Sequence, residues 1–266
     1  MKKYFAIFSL TVKEYFVYRL NFILWRVRVF INLLILFFLW SSVFEKNPQF
    51  GSYSKDSMLS YIIYANIISN FVLGTRTPEI AGYINDGKII NDLLKPVSFF
   101  TYYFTRDLAD KAVNMFFFFF ELALIVLLFH PNIHLPKNIF FGIIFLINGV
   151  LISYFANLLL SFIGFWTTEV WSPRFLFMML LFFVTGSYFP LDLLPAPIFY
   201  LLSLTPFPYF FYLPTKVLLT NITAQQFGTV SIYQLAFFSF LWVFITWYLA
   251  KFAWVKGNKS FSFWGR

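Results

Sequence analysis

Six stretches of this chain stay apolar for long enough to cross a bilayer: residues 23–44, 57–75, 112–130, 139–165, 173–190 and 231–254. A spanning helix takes about 20 predominantly apolar residues, so each stretch is read as one. Together they use about half of the 266 residues, and the connections and an amphipathic start use the rest. No room is left for a soluble ATPase or catalytic domain, and residues 1–266 are read as one transmembrane domain. The start, residues 1–21, interleaves Tyr4, Phe5, Ile7, Phe8, Val12, Tyr15 and Phe16 with Lys2, Lys3, Lys13, Glu14 and Arg19. That pattern suits a helix lying among the headgroups. It serves either as an anchor for the first span or as part of a docking surface, and its composition favours the anchor. Lys13 and Glu14 interrupt the first apolar run and no small-residue cleavage site follows, so a signal peptide is not expected.

Two connections depart from plain polar loops. Residues 76–111 carry Arg76, Lys88, Lys95, Arg106 and Lys111 against Glu79, Asp86, Asp92, Asp107 and Asp110. Anchoring by positive charge needs no acids, so a second use is implied. Within it, "NDGKIINDLLKP" sets Ile89, Ile90, Leu93 and Leu94 on one face of a short helix that Pro96 ends. Such a face inserts into a groove on a soluble partner or floats on lipid, and these residues leave the two open. Residues 190–215 hold Pro190, Pro195, Pro197, Pro206, Pro208 and Pro214 among apolar neighbours, which excludes one continuous helix. A re-entrant pair of short helices in the outer leaflet fits. The alternative is an interfacial loop anchored by Tyr188, Tyr200, Tyr209 and Tyr212.

Composition settles the class. Hydrophobic residues make up 60%, aromatic residues 25% and charged residues 12%, with mean hydropathy +0.75. These values define an integral membrane protein, all-α, with the 42 Phe, including Phe116 to Phe120, as lipid-facing and core bulk. Cysteine is absent, which removes disulfides, thiol nucleophiles and thiolate metal sites. The net charge of +9 would point to nucleic acid in a soluble protein, but here the placement of charge reads as topology. With the N-terminus inside, every Lys and Arg except Lys46, Lys55, Lys137 and Lys216 falls on the cytoplasmic side, and six spans return the C-terminus there.

Candidate chemistry is sparse. Gly82, Gly87 and Lys88 match G-x-x-x-x-G-K, yet Ile89 stands where a phosphate-binding loop needs Ser or Thr, and Pro78 opposes the strand that would precede it. The match is accidental. Glu121 lies near the middle of the third span and must face protein or water, as a substrate contact or as a protonated acid bonded to a neighbouring helix. Gly149, Ser153, Asn157 and Ser161 recur every fourth residue in the fourth span, as Asn66 and Asn70 do in the second, and close helix packing explains them better than a substrate path. Asn157 and Glu121 are the candidate intramembrane polar positions. Arg26 and Arg28 are expected to snorkel to the interface. His130 and His134 lack acidic support for a metal site. Asn221 to Thr223 form a glycosylation pattern that matters only in a eukaryotic source.

Two stretches resemble a known family. "GYINDGKIINDLLKPVSFFTYYFTRDLADK" (82–111) resembles the first cytoplasmic loop of the six-span ABC-2 type permeases. "TGSYFPLDLLPAPIFYLLSLTPFPYFFYLPTKVLL" (185–219) resembles the segment between their fifth and sixth spans. The resemblance implies the transmembrane subunit of an ATP-binding-cassette exporter in a bacterial cytoplasmic membrane. Separate ATPase subunits would hold ATP and Mg, with no cofactor in this chain, and a second permease copy or paralogue would complete a homo- or heterodimer among membrane lipids. It further implies a coupling element around Asn85, Asp86, Gly87, Ile90, Leu93, Leu94, Lys95 and Pro96, with the N-terminal helix beside it, and an outer re-entrant hairpin. A membrane-embedded transferase would need a DDxxD-like or His–acid pair. A secondary transporter would need several intramembrane charges and inverted repeats. Neither pattern is present, and no nucleic-acid partner is expected.

Overall fold

The computed structural model describes residues 2–74, 76–219 and 231–260. In lipid a helix satisfies all its backbone hydrogen bonds internally, so apolar runs become helices. The chain forms α1 (Lys2–Val17), α2 (Arg19–Lys46), a two-stranded hairpin of β1 (Gln49–Phe50) and β2 (Tyr53–Ser54), α3 (Lys55–Val72), α4 (Thr77–Asn85) and α5 (Ile89–Leu93). It continues through α6 (Phe99–Phe129), α7 (Ile139–Phe162), α8 (Trp171–Val184), α9 (Ala196–Ser203), α10 (Tyr212–Leu219) and α11 (Ile232–Ser260). The class is all-α integral membrane. Among the described residues five helices are long and apolar enough to cross, beginning at α2, α3, α6, α7 and α11.

The fifth predicted span is shorter than expected. With 14 residues α8 rises about 21 Å, less than the ~30 Å hydrocarbon core. It ends because the chain turns at Gly186, whose φ of +81° lies in the left-handed region that only glycine enters freely. The Tyr212 N–H then bonds the Thr185 carbonyl at 2.9 Å, which folds the following segment back against the turn. That segment holds α9 and α10, each eight residues, with a 3-10 turn before each. Of the four tyrosines considered as interfacial anchors, Tyr200 is exposed, whereas Tyr209 and Tyr212 are buried in the core. The simple belt reading is therefore corrected for those two. The pattern Asn221 to Thr223 lies outside the described residues.

A second difference lies in the third span. The helix begins at Phe99 instead of near Ala112, so the supposed loop 76–111 is two short helices followed by the first turns of α6. Arg106, Asp107, Asp110 and Lys111 are buried on that helix, partly beneath α1. Charges under a packed helix look like loop to hydropathy alone. The expected single helix from Asn85 to Leu94 is likewise divided, by a turn at Asp86–Lys88 in which Gly87 takes φ +72°.

Two apolar clusters hold the bundle together. The larger joins Leu33, Ile62, Phe118, Phe145, Ile152 and Phe210, and the smaller, at the α4–α5 end, joins Ile80, Ile84, Ile89, Tyr103, Leu158 and Phe162. Phe99 stacks on Trp254 at 4.1 Å in the latter, tying α6 to α11. The stripe on α7 acts in packing. A side chain at Gly149 would meet the Tyr209 carbonyl at 2.8 Å, and Asn157 donates within α7 to the Ser153 carbonyl at 2.9 Å. Asn148 bonds Ser239 of α11 at 2.8 Å.

Candidate functional site at the end formed by α4 and α5

Pro78 sits in the first turn of α4, where its missing N–H costs no hydrogen bond. Ile80 and Ile84 bury one face of that helix. At its end Asn85 donates to the Thr168 carbonyl at 3.1 Å, which joins α4 to the connection before α8. Lys88 and Asp86 pair across the turn at 2.7 Å in full solvent, and this contact holds the Lys88 ammonium above its ordinary pKa. Gly82 lies inside α4, not after a strand, and the helix that opens at Ile89 has only five residues, so the geometry is not that of a phosphate-binding loop.

Of the four apolar positions in this stretch only Ile89 turns into the core. Ile90, Leu93 and Leu94 are 43%, 42% and 78% exposed, on α5 and the residue that caps it. Burial pulls the Lys95 ammonium down, but its bonds to Asp92 (2.6 Å) and the Tyr102 hydroxyl (2.9 Å) outweigh that and raise its pKa. The Pro96 carbonyl accepts from Lys3 of α1 at 3.5 Å. The predicted coupling residues therefore share one surface, apolar at its crest and charged at its flanks, with the N-terminal helix alongside.

Sequence reasoning missed what lies beneath. Arg76, just before α4, contacts Glu14 of α1 (3.0 Å), Glu79 of α4 (3.2 Å) and Asp110 of α6 (3.5 Å). Arg106 of α6 meets the same Glu14 (3.0 Å) and Glu79 (3.6 Å), and Lys111 pairs with Asp107 one turn along. These contacts weld three elements through alternating charge. Only the i,i+3 and i,i+4 pairs were legible in advance. A cavity of about 600 Å³ opens beside the network, between α1, the start of α2, α4 and α6.

Arg26 corrects a second expectation. Instead of snorkelling it is buried, and it grips Glu121 with two contacts, Nε to Oε1 at 2.8 Å and Nη2 to Oε2 at 2.5 Å, while Arg28 remains exposed. Glu121 thus faces protein, as required, with its partner 95 positions away. Asn157, the other intramembrane candidate, is not near it. Its amide oxygen instead accepts from Arg174 of α8 at 3.0 Å, and Ser161 takes a second bond from Arg174 at 3.1 Å. Among the described residues no carboxylate pairs with Arg174.

At the opposite end the hairpin is fastened to the segment after α8. Lys216 donates to Asp192 at 2.6 Å and to the Tyr53 hydroxyl at 2.5 Å, and Tyr53 in turn donates to Asp192 at 3.0 Å. Burial, and then the neighbouring Asp192 carboxylate, push the Tyr53 phenol far above its ordinary pKa, so it stays a donor. Trp40 bonds the Tyr188 carbonyl at 2.9 Å and Tyr61 the Gly186 carbonyl at 2.7 Å. No group of acids and histidines among the described residues has metal-ligand spacing; the His130 ring instead bonds the Val126 carbonyl at 2.9 Å.

The arrangement is that of a helical membrane framework with an exposed apolar crest at one end. No curated protein matches the chain. A family model described as "ABC-2 family transporter protein" matches residues 30–265, from within α2 to the last residue but one. With a match of that extent on a multi-pass helical framework, the chain belongs to the ABC-2 family of transporter proteins.

Proposed function

We propose that the chain is the permease subunit of an ATP-binding-cassette exporter in a bacterial cytoplasmic membrane. A separate ATPase holds ATP and magnesium and drives it, and the cargo is hydrophobic or amphipathic. The observation that carries the coupling role is the exposed trio Ile90, Leu93 and Leu94, set on a five-residue helix whose Ile89 is rooted in the core. An apolar crest flanked by charged turns suits insertion into a groove of a soluble partner, and α4 passes the resulting force to the Glu14–Arg76–Glu79–Arg106 network and so to α1 and α6. The basic residues gathered at this end favour a cytoplasmic position for it and for both termini. A second permease copy or paralogue is supported by α8, which buries only Leu181 while Trp171, Leu176 and Leu180 are exposed.

The test is to purify the tagged protein from native membranes in mild detergent and identify stoichiometric companions by mass spectrometry. An ATPase subunit is expected, and Leu93→Asp with Leu94→Asp should release it without loss of the membrane protein. Should the protein emerge alone and neither bind nor hydrolyse ATP, a secondary transporter, and after it a membrane-embedded transferase, becomes the better reading.

A further inference from the structure

The cavity beside the charge network has an apolar neighbour. Phe22 of α2 lines it and also lines a second, apolar groove of about 310 Å³ between α2 and α6, walled by Phe30, Phe120 and Leu124 and floored by the Arg26–Glu121 pair. A polar compartment at the edge of the membrane thus adjoins an apolar one inside it, the division found in an amphiphile.

The polar compartment is specific about charge. Its arginines are occupied: Arg76 and Arg106 are 12% and 9% exposed and each is engaged by two or more carboxylates, whereas Glu14 and Glu79 keep 33% of their side chains open. Tyr18 and Tyr83 add rings, whose faces attract cations, while Tyr15 and Trp25 already face Arg76 and Arg26 at 4.9 Å and 5.6 Å. Asn114, on the α6 wall, is 4% exposed, and its amide oxygen has no hydrogen-bond partner among the described residues. A buried acceptor left without a donor is costly. Open carboxylates, aromatic rings and an orphan acceptor all call for a ligand that donates hydrogen bonds and carries positive charge.

We propose that the cavity and the groove, which share Phe22 as a wall, together bind one glycerophospholipid with a primary-ammonium headgroup, drawn from the leaflet next to α1. The ammonium faces Glu14, Glu79 and Asn114, the phosphate stays toward the headgroup layer, and an acyl chain passes Phe22 to lie over Phe120 and Leu124. The site stands apart from the transport reading, since it needs neither an ATPase nor a second permease.

The protein is stripped of lipid in mild detergent and titrated with phosphatidylethanolamine and phosphatidylglycerol of identical chains, and bound lipid is counted by native mass spectrometry. The native protein should take one phosphatidylethanolamine at about tenfold lower concentration than phosphatidylglycerol, the effect of one charge-assisted hydrogen bond. Asn114→Leu should abolish that preference with no loss of lipid-free thermal stability, because it removes a polar atom that lacks a partner. Phe22→Trp, which adds volume only where the two compartments meet, should lose the tight site for either lipid, and it carries the test alone should Asn114→Leu not express. Equal binding of the two lipids, an unchanged preference in Asn114→Leu, or chain-free glycerophosphoethanolamine binding as tightly as the lipid would each overturn the proposal.

Discussion

The two ends of the molecule are both fastened by buried charge, but in different ways. At the α4–α5 end the contacts branch: Glu14 and Glu79 each touch Arg76 and Arg106, so each of these four side chains has more than one partner. At the hairpin end they form a triangle of Tyr53, Asp192 and Lys216, in which the Lys216 ammonium pairs with the Asp192 carboxylate. A branched network tolerates the loss of one member because the remaining charges re-pair. A triangle does not. The branched network lies at the end proposed to meet the ATPase, and it ties α1, α4 and α6 together.

The largest effect that tests this contrast is expected from Lys216→Met. It leaves the Asp192 carboxylate, 23% exposed, beside a phenol and without its cation. Breaking one side of such a pair costs about 3 kcal/mol, to be read as a fall in thermal midpoint of the purified protein. Replacing both charges, Lys216→Met with Asp192→Leu, should return most of the loss, since an apolar pair carries no desolvation cost. Next comes Gly186→Ala, where a methyl group would lie 2.8 Å from the Tyr61 hydroxyl and 2.9 Å from the Tyr212 Cβ at φ +81°. About 2 kcal/mol is expected from the backbone conformation and crowding together, measured in the same melt.

Much of this framework was legible in the sequence, for a physical reason. Lipid forces apolar runs into helices, so the spans at α2, α3, α6, α7 and α11 follow from hydropathy alone. What failed were positions where a distant partner changes the meaning of a charge. Arg106, Asp107, Asp110 and Lys111 read as loop because α1, far back in the chain, is invisible to a local window, and they became the buried start of α6. Arg26 reads as a snorkelling residue until Glu121 is brought to it. Lys216 reads as an outer-loop lysine, but it is 6% exposed in the triangle that fastens the hairpin. At the candidate site the exposed crest of Ile90, Leu93 and Leu94 was readable from spacing. The turn at Gly87 that splits its helix carries a weaker signal, one glycine beside Asp86, and the charge network beneath it carries almost none.

A smaller effect is expected from Arg76→Gln. Glu14 and Glu79 keep Arg106, and the buried Asp110 carboxylate is engaged beyond Arg76 as well, so about 1 kcal/mol should be lost. If that variant melts as low as Lys216→Met, the branching has no protective value and the two ends are alike.

The smallest effect sharpens the contrast from the other side. Lys88 and Asp86 pair at 2.7 Å, close to the 2.6 Å of the Lys216–Asp192 pair, yet their side chains are 61% and 54% exposed, so water competes for both. Lys88→Gln should therefore leave the thermal midpoint unchanged. Distance is nearly equal in the two pairs and burial is not, so the comparison isolates burial as the quantity that gives an ion pair structural weight here. A Lys88→Gln melt displaced as far as that of Lys216→Met would mean that the turn at Gly87 depends on the charge across it. The crest bearing Ile90, Leu93 and Leu94 would then be held from its solvent side, and not by Ile89 in the core.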